Sequence, residues 1–147
     1  MHENEFPTRP FLTLEVAQKL IAAGLDEAEV RGLNTVVVAV CDDGGRLIAF
    51  ARQDDAEPAA IETSLIKART AALFARDTRE WKERLMGGAN WVLHLPNMYA
   101  IEGGQVIKLG KHVLGGLAIG GGSGALDTEI ATIAMTSVFG PRDEGSQ

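Results

Sequence analysis

The sequence predicts an α+β domain, one antiparallel sheet with helices packed on it. Three observations predict it. Thr35–Cys41 (TVVVAVC) is a nearly continuous β-branched run, Asp42-Asp43-Gly44-Gly45 is a turn, and Arg46–Arg52 (RLIAFAR) runs back, so a β-hairpin forms. Gln105–Leu109 and Val113–Ile119, joined by Gly110-Lys111-His112, make a second hairpin. The segments before, between and after the hairpins carry apolar residues at helical spacing.

Taken in order, the first helix spans about Leu14 to Arg31. Thr13 is a good N-cap, Glu15 in the first turn suits the helix dipole, and Gly32 stops the run. Leu14, Ala17, Ile21, Leu25 and Ala28 form its apolar face, while Glu15, Lys19, Asp26 and Glu29 form a wet one. After the first hairpin, Pro58 suits the opening turn of a second helix, with Ile61, Leu65, Ala68, Ala72 and Ala75 on one face. So alanine-rich a surface lets a helix sit close to a sheet. Asp77-Thr78 breaks this helix, and Thr78 caps a shorter one with Trp81 and Leu85, ended by Gly87-Gly88.

Ala89–Ile101 reads as a loop with a short strand or turn, because Pro96 would break a central strand. Beyond the second hairpin, Val113–Asp127 dissolves into glycines, and a closing helix with Ile130, Ile133, Ala134 and Val138 opens near Asp127. The expected organisation is a tail at 1–11, one domain at 12–139, and a polar tail at 140–147.

Composition bounds the function. A length of 147 residues suffices for one domain with its own core. Fourteen basic residues against 20 acidic ones give a net charge of −6, which argues against nucleic acid as a partner. No apolar run approaches the ~18 residues of a membrane span, and the N-terminus has no apolar signal-peptide core, so a cytoplasmic location is expected. The lone cysteine, Cys41, allows no internal disulfide and reads as a buried, inert thiol.

The glycine-rich bend is the first candidate site. Gly121 and Gly122 precede a helix, an arrangement that offers free amides to an anion. The dinucleotide and Walker spacings are absent, so a ligand contact and tight packing against the protein itself both stay open. A nucleophilic Ser123 lacks the elbow pattern. His94 lies in an apolar WVLHLP context and reads as a core or groove histidine. His112 reads as an exposed haem or metal ligand or as an ordinary turn histidine. No closely spaced ligand set supports a metal site. Arg52 ends a strand, and Glu62 and Lys67 lie on the next helix. Lys67, among apolar neighbours, either lines a semi-apolar cavity or belongs to a solvated face. Trp91 and Tyr99 either stack on a planar ligand or fill the core.

VVVAVCDDGGRLIAFARQDDA resembles the hairpin of the GlcG/HbpS-like haem-binding domains, in Asp42-Asp43-Gly44-Gly45, Leu47, Ala49-Phe50, Arg52 and Asp54. The family's next helix is matched at Ile61, Glu62, Lys67-Ala68 and Thr70-Ala71. Its opening is matched at Leu12-Thr13-Leu14 and Ala17, and its glycine segments at Gly103-Gly104, Ile107, Gly115–Gly124 and Asp127. Glu62 stands where the family has Asp, and Val106 where it has Pro. The similarity runs from about Leu12 to Ala134.

This resemblance implies a profilin-like fold with about five strands, homo-oligomers, and a small planar ligand such as haem. Relatives occur as C-terminal domains of PduO-type cobalamin adenosyltransferases. The expected function is therefore an oligomeric small-ligand-binding protein, with Arg52, Trp91, His94, Tyr99, Gly121 and Gly122 as ligand contacts. The alternative is a metal-independent lyase or isomerase acting on an aromatic carboxylate. There Arg52 or Lys67 would hold the carboxylate, and Glu62 or His112 would move protons. A purely structural or interaction role is the third possibility.

Overall fold

The computed structural model describes residues 1–142. Residues 143–147, the end of the expected C-terminal tail, lie outside the described residues. The elements are α1 (Leu14–Val30), β1 (Val37–Asp42), β2 (Leu47–Arg52), α2 (Ala59–Phe74), α3 (Thr78–Met86), β3 (Gly104–Leu109), β4 (His112–Gly120) and α4 (Gly124–Phe139). Short 3₁₀ helices lie at Glu3–Glu5 and Asn90–His94.

The two hairpins join through their inner strands. Among the described residues the sheet order is β2-β1-β4-β3, antiparallel throughout, with four strands where the resemblance implies about five. Val37 pairs with Gly120 and Asp42 with Gly115 across the β1–β4 seam. The fifth-strand position is not filled by Ala89–Ile101, which forms a 3₁₀ turn and irregular backbone instead. The free edge of β3 is partly covered by side chains: Val106 N–H donates to Asp77 Oδ1 at 3.0 Å, and Arg142 donates to the Val106 carbonyl at 3.0 Å and to Asp77 Oδ2 at 2.7 Å. These contacts occupy groups on which another strand could pair.

Helices α1 and α4 cover one face of the sheet. Leu20, Val36, Val38, Val40, Ile107, Leu117, Ile119 and Ile130 fill the main core between them. Alternation along β1 explains the division, since its even-numbered valines face this layer. The apolar face of α1 differs from the periodic expectation at its start. Leu14 is 55% exposed, and Leu20 and Gly24 are buried instead. Gly24 is small because Val38 presses on it: an added Cβ would come within 3.0 Å of that side chain. Helix α4 starts at Gly124, earlier than the apolar periodicity indicates, because Ser123 caps it by accepting from Leu126 N–H at 3.2 Å. Ile133 is 39% exposed, and Ala131 and Met135 take its expected place in the core.

Helix α2 covers the other face. Its buried side is Ala60, Ser64, Lys67, Ala68, Ala71 and Ala72, rotated from the Ile61–Leu65–Ala68 stripe that hydropathy marks. The reason lies on the sheet. Gly116, Ala118 and Gly120 share one face of β4, and Gly104 of β3 lies beside them. A Cβ on Gly116 would stand 2.1 Å from the Ala68 carbonyl oxygen, and one on Gly104 2.5 Å from that of Lys67. The glycines let the helix backbone approach the strands, so its smallest residues pack inward and Ile61 and Leu65 are only half-buried. Cys41 lies in this layer, 3% exposed, with its thiol pushed up to about 11 by burial.

Candidate functional site

The glycine bend after β4 opens on a buried polar cluster. Gly121 has φ +92°, and a Cβ there would meet the Thr35 carbonyl oxygen at 1.9 Å, so only glycine fits. The next amide, Gly122 N–H, donates to Asp127 Oδ1 at 3.1 Å. The anion held by this bend is thus a carboxylate of the chain itself. Asp127 Oδ2 accepts from Lys67 Nζ at 3.1 Å, and Lys67 also donates to the Ile119 carbonyl at 2.6 Å. Both side chains are nearly inaccessible. Burial lowers the Lys67 pKa and raises that of Asp127, each against the pull of its partner. Gly103, at φ +112°, leaves room for the ammonium: a Cβ there would lie 2.6 Å from Nζ. Lys67 therefore joins α2 to the β4–α4 corner.

Glu62 and Arg69, both exposed, lie on a cleft of about 260 Å³ between α2 and the first hairpin, floored by Ala39, Cys41 and Ala68. Arg52 pairs with Val37 on the outer strand of that hairpin and is exposed. His112 is exposed at the start of β4, whereas Ile119, the acceptor of Lys67, lies near its other end, roughly 23 Å away at ~3.3 Å per residue. Within one chain, Lys67 and His112 do not share a site.

The 3₁₀ helix Asn90–His94 brings a different set together. Val92 is fully buried and anchors it, while Trp91 and Leu93 are 54% and 68% exposed and His94 is exposed. Three residues per turn place Trp91 and His94 one above the other on the same side. The Trp91 ring meets the buried Trp81 edge to face, with centroids 6.5 Å apart. Phe74 meets Trp81 from elsewhere at 5.4 Å, and the guanidiniums of Arg84 and Arg76 lie 5.0 and 5.9 Å from the Trp81 ring. Tyr99 follows on the same segment, half-buried. That segment meets α2 where the Asn97 carbonyl lies 3.2 Å from Thr70 Oγ1, whose single proton is shared with the nearer Ile66 carbonyl at 2.8 Å. An exposed imidazole beside an indole, with cationic side chains around the aromatic cluster, can meet a flat apolar ligand bearing acidic groups.

Sequence reasoning did not connect Lys67 with Asp127 or single out the cationic neighbours of Trp81. The first pair lies on two helices, α2 and α4, and meets β4 through the Ile119 carbonyl, so only the charge of Lys67 among apolar neighbours could have signalled a partner. The arginines are spaced around Trp81 on α3 and its approach, a pattern common on solvated helices.

An α+β domain with this sheet order, a helix laid on strand glycines, and these matching motifs defines a small single-sheet fold. The chain belongs to the HbpS-like family, whose model, described as haem degrading protein HbpS-like, matches residues 12–136. It is 36% identical over 112 residues to Protein GlcG of Escherichia coli (strain K12), covering 76% of this chain and 83% of that protein. Among solved structures it is similar to a double mutant of Streptomyces reticuli HbpS, with a TM-score of 0.84, 29% identity and 94% of each chain covered. It is also similar to a PduOC–haem complex, with a TM-score of 0.79, 25% identity, and 88% and 96% of the two chains covered.

Proposed function

We propose that this protein binds haem or a closely related planar macrocycle at the surface built on Trp91 and His94. The observation that carries the reading is that Trp91 and His94, both exposed, stand three residues apart on one 3₁₀ helix, where side chains at i and i+3 fall on the same side. Support comes from a family described by haem degradation and a similar structure solved with haem. The residues fit the group: His94 supplies an imidazole donor, Trp91 and Leu93 supply apolar contact, and Arg84 supplies a cation for peripheral carboxylates. When bound, haem supplies redox and axial-ligand chemistry. The chain's own residues orient the macrocycle and shield one of its faces.

A surface of this kind covers a planar ligand from one side. A second copy of the chain, packed over Trp91 and Leu93, would exclude water from the other, and the protein is accordingly read as a homo-oligomer. Titration with hemin, followed by absorbance, tests the site. A saturable Soret shift is expected in the wild type and in His112→Ala, and its loss or displacement in His94→Ala. The same shift in wild type and His94→Ala would remove His94 from the site, and no shift at all would remove haem. Sedimentation with and without hemin reads the assembly.

A further inference from the structure

The cleft between α2 and the first hairpin plays no part in the haem reading. On the helix it is lined by Glu62, Leu65, Ile66 and Arg69, at i, i+3, i+4 and i+7, so these side chains share one face. On the sheet, Ala39 and Cys41 point the same way from β1, and Cys41 pairs with Leu47 of β2. Leu47 is 54% exposed and Ile66 37%, so the rim is open to solvent. Small side chains on the floor, beneath leucine and isoleucine walls, make an apolar slot. Its volume of about 260 Å³ suits a single ring with short substituents rather than a macrocycle.

Two accessible charges of opposite sign stand at the ends of this slot. Glu62 and Arg69 are two helical turns apart, roughly 10 Å along the axis at ~1.5 Å per residue. Arg31, Arg76 and Arg79 each pair with an acid four residues away, whereas Arg69 and Glu62 make no ion pair among the described residues. The Arg69 stem leans on the hairpin turn, where Gly45 makes room for it: a Cβ there would lie 2.6 Å from Arg69 Cγ. Burial pushes the Cys41 thiol up, and the Arg69 charge acts on it in the opposite sense, so the guanidinium is within Coulombic reach of the floor. The thiol stays neutral at pH 7, and the floor offers no anion to compete for Arg69.

We infer that this cleft is a separate binding site for a small hydroxyaryl carboxylate. The ring lies on Ala39, Cys41 and Ala68, Arg69 donates to the carboxylate at one end, and a hydroxyl at the other end donates to the Glu62 carboxylate. A para-substituted ring sets its two polar groups at opposite ends, as the two charges of the slot require. Three probes test this by amide-shift titration of the full chain: 4-hydroxyphenylacetate keeps both groups, phenylacetate only the carboxylate, and 4-methylphenol only the hydroxyl. Saturable shifts at Cys41, Leu65 and Ala68 are expected with 4-hydroxyphenylacetate, and binding at least about tenfold weaker with the other two. Both charged residues are exposed, so their variants do not put the fold at risk. Arg69→Met, which keeps the stem, should weaken 4-hydroxyphenylacetate about tenfold and erase its advantage over 4-methylphenol. Glu62→Ala should weaken it about as much and erase its advantage over phenylacetate. His94→Ala should leave this binding unchanged, which separates the site from the haem surface. No saturable shift up to about 10 mM, equal binding of the three probes, or wild-type affinity in either charge variant would overturn the inference.

Discussion

The Lys67 ammonium lies 3.1 Å from the Asp127 carboxylate and is sealed with it beneath the β4–α4 corner, each side chain 5% exposed or less. The pair joins the second helix to the last one across the end of the sheet. Its members are far apart in the chain, so the contact forms only when both hairpins and both helices are assembled.

Removing one partner should cost much more than removing the charge from both. Lys67→Met leaves the Asp127 carboxylate buried without its cation, and the expected loss is about 3–5 kcal/mol. The double variant Lys67→Met with Asp127→Asn keeps an acceptor for Gly122 N–H and should recover a large part of that loss. Urea unfolding of the two variants checks this. Equal losses in both would mean that the ion pair itself, rather than the avoidance of an unpaired charge, holds the corner.

The pH dependence of this pair has an uncommon sign. Burial holds the Asp127 pKa above its ordinary 3.8, despite Lys67. A group whose folded pKa is raised contributes stability fully below its unfolded value and loses it as the pH rises through the folded value. Lys67, lowered from 10.5 by burial, acts at the other end: its contribution is present above 10.5 and is lost as the pH falls through the folded value. Wild type should therefore gain stability on Asp127→Asn as the pH is lowered from about 7 toward about 4. Urea midpoints across that range provide the measurement. A wild type that loses ground on acidification would show that the attraction of Lys67 outweighs the burial.

The close approach of α2 to β4 predicts a sharp contrast between glycines. Gly116→Ala puts a Cβ where only 2.1 Å separates it from a helix carbonyl, and neither backbone can yield cheaply. The expected destabilisation is about 1–3 kcal/mol or more, the range for overpacking. Gly44→Ala, in the first hairpin turn, comes within 2.9 Å of the movable end of Arg46 and makes only an ordinary contact with Asp42 Oδ1 at 3.4 Å, so it should cost much less. Paired thermal melts of the two variants give the answer, and similar costs would refute the close-packing account.

Much of the fold was legible because local chemistry writes it. The Asp42–Gly45 turn, the β-branched run before it, the Thr13 cap and the breaks at Gly32 and Asp77-Thr78 act within a few residues of where they stand. The inward side of α2 was not legible. Hydropathy pointed to Ile61 and Leu65, but the helix turns Ser64 and Lys67 toward the sheet, because glycines of β3 and β4, distant in the chain, make room there. The backbone around Trp91 and His94 was not legible, because the apolar WVLHLP run does not announce the 3₁₀ helix Asn90–His94 that sets their spacing on one side.

The sequence by itself determined the element order, the two hairpin turns, the helix caps and membership of the α+β class, since each depends on short-range backbone preference and periodicity. Only the tertiary structure decided that the hairpins meet through β1 and β4, that the glycine bend holds the carboxylate of Asp127, and that Lys67 is buried beside it. Those outcomes arise from contacts between distant segments, where packing distance and desolvation, rather than local propensity, select the arrangement.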